Sequence, residues 1–202
     1  MTVILPKYRG SITREPYLFH EMRVTARLML EEQDEKRLLD VIVEENLFQY
    51  PTERSLKGMA KACIRRLNSL NDESAVRAIA VEPESVAQQF CLYALMKDNL
   101  IVWDFMLTVI GEKYRLNDFS FSRMDLNAFF MRLQEQNDEV ATWSDTTIAK
   151  CKQILLRILV ENEYIDDRDA NRLNPVLLCR ALENLLRANG EEQAFPAFNY
   201  FD

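Results

Sequence analysis

Helix breakers are scarce in this chain, since only four glycines and six prolines interrupt its 202 residues. Apolar residues recur every three or four positions, which is the spacing of one face of an α-helix. Leu18, Met22 and Ala26, for example, fall on one side of a helix predicted over residues 17–31. The chain is therefore predicted to be mainly α, and its length suffices for one sizeable core or two helical subdomains.

Good N-cap residues mark where several helices should begin, because a short polar side chain can accept a hydrogen bond from a free backbone N–H in the first turn. Asp34, Thr52, Ser122 and Ser144 each precede an apolar periodic stretch. The helices predicted in this way and from periodicity cover residues 17–31, 34–45, 52–70, 84–96, 101–114, 122–136 and 144–162. The apolar helices over residues 84–96 and 101–114 are predicted to form the central core.

The region around residue 117 is polar and predicts a boundary between two domains. Residues 1–117 are predicted to form an N-terminal helical bundle and residues 118–202 a C-terminal module. Residues 164–174 break the helical pattern and fit a small β-hairpin with an acidic turn. Helix, turn, helix and hairpin follow one another as in a winged helix-turn-helix, so we expect the C-terminal module to resemble one. Winged helices also serve as protein–protein modules.

Residues that could carry catalysis or hold a metal do not occur in recognisable patterns. His20 is the single histidine, and no HExxH, CxxC or GxSxG motif is present. Four cysteines lie far apart among apolar positions and are predicted to be reduced core thiols; they are Cys63, Cys91, Cys151 and Cys179. We therefore expect no enzymatic activity, no cofactor, no metal and no small-molecule substrate.

The location predicted from the sequence is the cytoplasm. Reduced cysteines are typical of that compartment, and no secretory signal peptide is predicted because Pro6 and Lys7 follow the apolar start directly. The apolar stretch over residues 101–110 is too short to span a bilayer and contains Asp104. No membrane association is expected.

A basic row on one predicted helix is the strongest indication of a partner. The net charge of −7 argues against nucleic-acid binding. However, residues 1–70 carry 12 basic and 10 acidic residues, whereas residues 71–202 carry 13 and 22. Within residues 52–70 the cations are spaced by about one helical turn and can follow a phosphate backbone; they are Arg54, Lys57, Lys61 and Arg65, with Arg66 at the edge. The alternative is a solvated face that pairs with the acidic helix before it.

A second row lies on the helix predicted over residues 144–162. Its polar face carries Thr146, Lys150, Gln153 and Arg157, at spacings of 4, 3 and 4. These residue types contact phosphates and base edges in protein–DNA complexes. The acidic turn over residues 166–169 argues against a DNA-contacting wing, which is usually basic.

Three short runs resemble a known protein family. They are WSDTTIAKCKQILLRILVENEYI at residues 143–165, RLNP at 172–175 and YRGSIT at 8–13. Together they resemble the BrxA family of bacterial BREX phage-defence systems over nearly the whole chain. The resemblance implies a small helical accessory protein, encoded beside a methyltransferase, a large ATPase and a phosphatase-like protein. It also implies nucleic-acid binding, because the family has been likened both to an RNA-binding antitermination factor and to winged-helix DNA binders.

The function expected from the two rows and the resemblance is that of a non-catalytic DNA-binding component of BREX defence, with contacts mainly to phosphates. The expected partners are DNA and other BREX proteins. RNA binding through the N-terminal bundle is a first alternative. A protein-interaction adaptor that touches no nucleic acid is a second one, favoured by the acidic C-terminal portion and by the aromatic tail over residues 195–201.

Overall fold

A computed structural model of the chain describes residues 7–201, and it is mainly α-helical, as predicted. Two 3-10 segments lie near the ends, an N-terminal one at Gly10–Thr13 and a C-terminal one at Glu192–Phe198. The helices are α1 (Phe19–Met29), α2 (Glu35–Glu44), α3 (Glu53–Ser69), α4 (Glu73–Val81), α5 (Glu84–Asp98), α6 (Leu100–Phe105), α7 (Glu112–Arg115), α8 (Arg123–Gln136), α9 (Asp138–Ala141), α10 (Asp145–Glu161) and α11 (Arg180–Asn189). A π-helical turn, Met106–Gly111, connects α6 to α7.

The chain divides into two compact units. The α1–α5 unit comprises Glu15–Asp98, and the α6–α11 unit comprises, among the described residues, 7–14 and 99–201. The N-terminal 3-10 segment therefore belongs to the second unit, although it comes first in the chain. The division at residue 117 predicted from the sequence stays a prediction, and in the structure this residue lies within the α6–α11 unit.

Local capping explains where the helices of the α1–α5 unit begin. The carboxylate of Asp34 accepts hydrogen bonds from the backbone N–H groups of Lys36 (2.8 Å) and Arg37 (3.2 Å). The hydroxyl of Thr52 accepts one from Ser55 (3.3 Å) at the start of α3. The apolar faces of α2 and α3 then pack together in one buried cluster of Leu38, Ile42, Phe48, Leu56, Ala60 and Ile64. Burial of each larger aliphatic side chain contributes roughly 1.5–3 kcal/mol.

In the α6–α11 unit, the π-helical turn packs against the C-terminal 3-10 segment. The last residue of this turn, Gly111, is buried, and a Cβ placed there would lie 2.8 Å from Cβ of Pro196 in the C-terminal 3-10 segment. Phe195 and Phe198 of that segment are 3% and 0% exposed. Most of the aromatic tail thus packs into its own unit, so these two rings are not available to a partner.

The small β-hairpin predicted over residues 164–174 is wrong. No β-strand occurs among residues 7–201, and the segment consists of turns and bends. A hydrogen bond from the backbone N–H of Asn174 to the carbonyl of Tyr164 (2.8 Å) joins its two ends. The carboxylate of Asp167 accepts the N–H of Asp169 (2.7 Å), a local turn that competes with strand pairing. Residues 171–173 instead pair with residues 119–121, through an isolated antiparallel bridge between Ser120 and Arg172.

The winged-helix module predicted for the C-terminal part is consequently not supported, since it needs the hairpin as its wing. The last helix, α11, begins at Arg180, five residues after Pro175. The carbonyl groups of Asn174 and Val176 accept side-chain hydrogen bonds from Tyr114 (2.6 Å) and Asn199 (3.2 Å). These tertiary bonds hold the segment before α11 outside a helical conformation.

Candidate nucleic-acid interface

The basic row on α3 is formed as predicted, but part of it is neutralised. Arg54 and Lys61 are exposed, and within the described part of the chain neither has an ion-pair partner. Lys57 is bonded to Glu53 one turn earlier. This hydrogen bond and the charge of Glu53 raise the pKa of Lys57.

An acidic groove lies beside Lys57 on the side of α2. It has a volume of about 470 Å³, and its charged lining consists of Asp40, Glu44, Glu53 and Lys57. Three carboxylates beside a single ammonium group repel a polyanion. The α2 carboxylates thus lie beside this part of the row, but the ion pair of Lys57 is with Glu53 of α3 itself and not with the acidic helix α2.

Arg65, at the C-terminal end of the same row, is tied to two carboxylates. Its guanidinium donates to Glu15 (2.6 Å) and to both oxygens of Asp98 (2.6 and 2.9 Å). Burial opposes ionisation of Asp98, but the hydrogen bonds from Arg65 and the charges of Arg65 and Arg66 hold its pKa below the usual value. Arg65 therefore belongs to an intramolecular network of ion pairs.

Arg66 is 1% exposed and presents nothing to solvent. Its guanidinium donates to the carbonyl oxygens of Glu15 (2.5 Å), Pro16 (2.7 Å) and Tyr17 (3.3 Å), and to Asp98 (3.2 Å). Backbone carbonyls and one shared carboxylate satisfy a buried cation without any external partner. The position of Arg66 at the edge of the α3 row is therefore explained by the fold, and we leave it out of any interface.

The second row lies on α10, as the spacing predicts. The hydroxyl of Ser144 accepts a hydrogen bond from the N–H of Thr147 (3.2 Å) and starts the helix. One face buries Ile148, Cys151, Leu155, Ile158 and Leu159, and the opposite face exposes Thr146, Lys150, Gln153 and Arg157.

The four exposed residues of α10 differ in how far they are already engaged. Arg157 pairs with Glu161 one turn later. Lys150, by contrast, has no ion-pair partner anywhere in residues 7–201. Lys150 is therefore the cation of this row that is most available to an external anion.

The N-terminal 3-10 segment packs beside the start of α10. A Cβ placed on Gly10 would lie 3.5 Å from Cγ2 of Thr147 and 3.9 Å from the ring of Trp143. Side-chain hydrogen bonds hold this segment and the residues just before it within the unit, including one from the Asn99 amide to the hydroxyl of Ser11 (3.4 Å). The Tyr8 hydroxyl donates to Asp104, and the Asn99 amide donates to the carbonyl of Arg9 (3.4 Å).

Three exposed cations flank this anchored segment, namely Lys7, Arg9 and Arg14. No ion pair engages them within the described residues. Arg9 precedes Gly10 directly, and Lys150 follows Thr147 by three residues, which is less than one helical turn.

Sequence reasoning missed these three cations. The available signal was the density of basic residues around the buried side chain of Ile12, but the sequence does not reveal that this segment packs on a helix more than 130 residues away.

Other predicted features can be placed as well. His20 is exposed on α1, and Cys63, Cys91 and Cys151 are buried free thiols, whereas Cys179 is half-buried. Over residues 7–201, no three His, Cys, Asp or Glu side chains converge as metal ligands would. No helix within these residues combines the length and the hydropathy that a transmembrane span requires. The absence of catalysis stays a prediction.

The chain is similar to known proteins in both sequence and structure. The family model BrxA matches residues 6–190. A BREX protein BrxA from Bacillus cereus is 32% identical over 186 residues, covering 91% of this chain and 92% of the relative. A BREX protein BrxA from Escherichia coli is 30% identical over 183 residues, covering 91% and 85%.

A solved structure also shares the fold. The crystal structure of an uncharacterized protein from Magnetospirillum magneticum aligns with a TM-score of 0.82 at 23% sequence identity, over 96% of this chain and 98% of that one. The family match covers most of the sequence, and two relatives reach 30% identity or more over almost its full length. On these grounds the chain belongs to the BrxA family of BREX phage-defence proteins.

Proposed function

We propose that this chain is a non-catalytic, cytoplasmic DNA-binding component of BREX phage defence. It contacts mainly phosphates, through the exposed face of α10 and the adjacent N-terminal segment. This proposal is supported by the packing of the N-terminal 3-10 segment beside the start of α10, and by a set of exposed cations on or next to these two elements that have no ion-pair partner within the described residues. The set consists of Lys7, Arg9, Arg14 and Lys150.

Unpaired cations matter more here than the total number of basic residues. A cation that already pairs with a carboxylate must give up that partner before it can neutralise a phosphate, so it adds little net attraction. A free cation releases condensed counterions from DNA when it binds, which favours association at low salt. Lys150 and the three N-terminal cations meet this condition, whereas Lys57 and Arg65 on α3 do not.

The polar residues of α10 would add contacts of moderate specificity. Thr146 and Gln153 are exposed on the same face as Lys150. A hydroxyl can bond a phosphate oxygen, and an amide can read a base edge. Without a wing, we expect phosphate contacts to dominate, and therefore strong dependence on salt and weak dependence on sequence.

RNA binding through the α1–α5 unit receives less support. Of the predicted α3 contacts, only Arg54 and Lys61 are both exposed and without an ion-pair partner among residues 7–201, and the groove on the α2 side is acidic. Competition between duplex DNA and structured RNA at equal salt separates the two functions. The proposal predicts that duplex DNA competes at least as well.

The experiment that tests the proposal is a salt titration of binding to a 20-base-pair duplex. The variant carries Arg9→Glu with Lys150→Glu, and the matched control carries Arg54→Glu with Lys61→Glu, an equal change of charge in the other unit. Each lost phosphate contact lowers the slope of log K against log salt by about 0.9. We expect the Arg9/Lys150 variant to lose about 1.8 in slope and more than tenfold in affinity at low salt.

The control variant should change the slope far less, since any loss there reflects only the overall charge. A full loss in the control, with the Arg9/Lys150 variant unchanged, would overturn the proposed surface. No measurable duplex binding by the unchanged protein would overturn DNA binding itself.

A further inference from the structure

A groove between α8 and α10 borders the surface proposed above and shares one residue, Gln153, with it. Its volume is about 450 Å³. Its lining includes Arg123, Leu126, Asn127, Lys152, Leu156 and Arg168. Its floor is aliphatic, its charged lining residues are all basic, and it belongs to a chain with a net charge of −7. This combination suits a ligand that is both acidic and apolar.

The three cations of the groove retain binding capacity. Lys152 donates to Oδ1 of Asn127 (2.8 Å) and lies 5.7 Å from the ring centroid of Phe130, so one of its three N–H donors is engaged. Arg168 is exposed and has no ion pair within residues 7–201. Arg123 pairs with Asp169 (2.7 Å), but the two side chains are 72% and 84% exposed, so a carboxylate from a partner can replace Asp169.

An apolar strip on α8 borders this groove. Met124 and Met131 are 77% and 61% exposed, and Ala128 lies between them. Residues separated by four and then three positions form one straight line on a helix surface, about 10 Å long from Met124 to Met131. Asn127, at the groove edge, adjoins this line. Methionine side chains are flexible and adapt to different apolar partners, which makes them frequent at docking surfaces.

We propose that the groove and the methionine strip together bind an acidic amphipathic helix of a protein partner. The apolar face of that helix packs on Met124, Ala128 and Met131, and its carboxylates pair with Lys152 and Arg168. An amphipathic helix suits this surface because, as in helix-in-groove recognition, its apolar face can lie along the strip while its polar face meets the cations of the groove. The proposal does not depend on DNA binding by the other surface.

A protein partner suits this surface better than a polynucleotide does. A phosphate backbone is satisfied by cations alone and leaves exposed methionines in water. The aliphatic floor formed by Leu126 and Leu156 likewise offers nothing to a phosphate. An acidic amphipathic helix covers both the apolar and the cationic parts.

The test uses the full chain and a defined probe, an 18-residue fluorescent peptide with leucines on one helical face and glutamates on the other. One control peptide has the same composition with the leucines scrambled, and a second has lysine in place of every glutamate. Binding is measured by anisotropy. ¹³C-methyl spectra of the eight methionines report where the peptide binds and whether each variant is folded.

The expected result is binding of the acidic amphipathic peptide, at least tenfold tighter than either control, with shifts of the Met124 and Met131 methyl signals. The variants Lys152→Glu with Arg168→Glu and Met124→Ser with Met131→Ser should each weaken binding at least tenfold. The matched control, Arg54→Glu with Lys61→Glu, should change it less than twofold.

Three outcomes would overturn the proposal. The first is no binding of the acidic peptide at 1 mM. The second is equal binding of the scrambled or basic peptide. The third is loss of duplex DNA binding, rather than peptide binding, in the Lys152/Arg168 variant, which would assign the groove to a polynucleotide.

Discussion

Replacing Arg66 with methionine tests whether this residue stabilises the fold or contacts a ligand. Methionine retains the aliphatic bulk but removes donors from the carbonyls of Glu15, Pro16 and Tyr17. Breaking a buried ion pair costs about 3–5 kcal/mol, and each buried group left without a partner costs about 1–3 kcal/mol. Because Arg65 still pairs with Asp98, we expect the lower end, about 3 kcal/mol of unfolding free energy.

The assay is urea unfolding together with thermal melting, with Arg54→Met as the control from the exposed end of the same row. A loss of 3 kcal/mol corresponds to a fall in Tm of about 6–12 °C for a chain of this size. The control should change the unfolding free energy by about 0.5 kcal/mol or less. Equal stability of the two variants, combined with weaker duplex binding by the Arg66 variant, would refute the structural assignment of Arg66.

Three further predictions follow from local geometry. Gly111→Ala should lower the unfolding free energy, measured in urea, by about 1–3 kcal/mol, because the new Cβ would clash with the C-terminal 3-10 segment. Gly58→Ala should instead raise it by up to about 1 kcal/mol, because Gly58 lies in the middle of α3 and a Cβ there has no neighbour within 4 Å. With Ellman's reagent at pH 8, Cys179 should react much faster than the other three thiols, because those three are buried. Burial also raises the pKa of the Cys63 thiol to about 12, which leaves little reactive thiolate at pH 8. Because its pKa is lowered in the folded state, Asp98 contributes stability above its unfolded pKa of about 3.9 that is lost as pH falls through the folded value. Asp98→Asn should therefore show a shallower loss of stability below pH 4; equal slopes would contradict this reasoning.

Features set by neighbouring residues could be predicted from the sequence. The helix starts at Asp34, Thr52, Ser122 and Ser144 depend on a side chain and the N–H groups two or three residues later, and all four side chains make these bonds. The exposed face of α10 likewise follows from a helical period.

Features set by distant residues could not be predicted. Arg65 and Arg66 look alike in sequence and both bond Asp98, more than 30 residues later, but only Arg66 donates to the carbonyl groups of residues 15–17, about 50 residues earlier. The hairpin prediction failed for a similar reason. The pairing partner of residues 171–173 lies about 50 residues earlier, at residues 119–121, so alternation and turn residues alone indicated the wrong partner.

The surface that contacts the duplex can be identified most directly by site-specific photo-crosslinking. A benzoylphenylalanine is placed at Thr146 on α10 or at Arg54 on α3, and the protein is irradiated with a labelled 20-base-pair duplex at low salt. Our account predicts a strong crosslink from position 146 that disappears as salt is raised, and little or none from position 54. A crosslink from position 54 alone would contradict it.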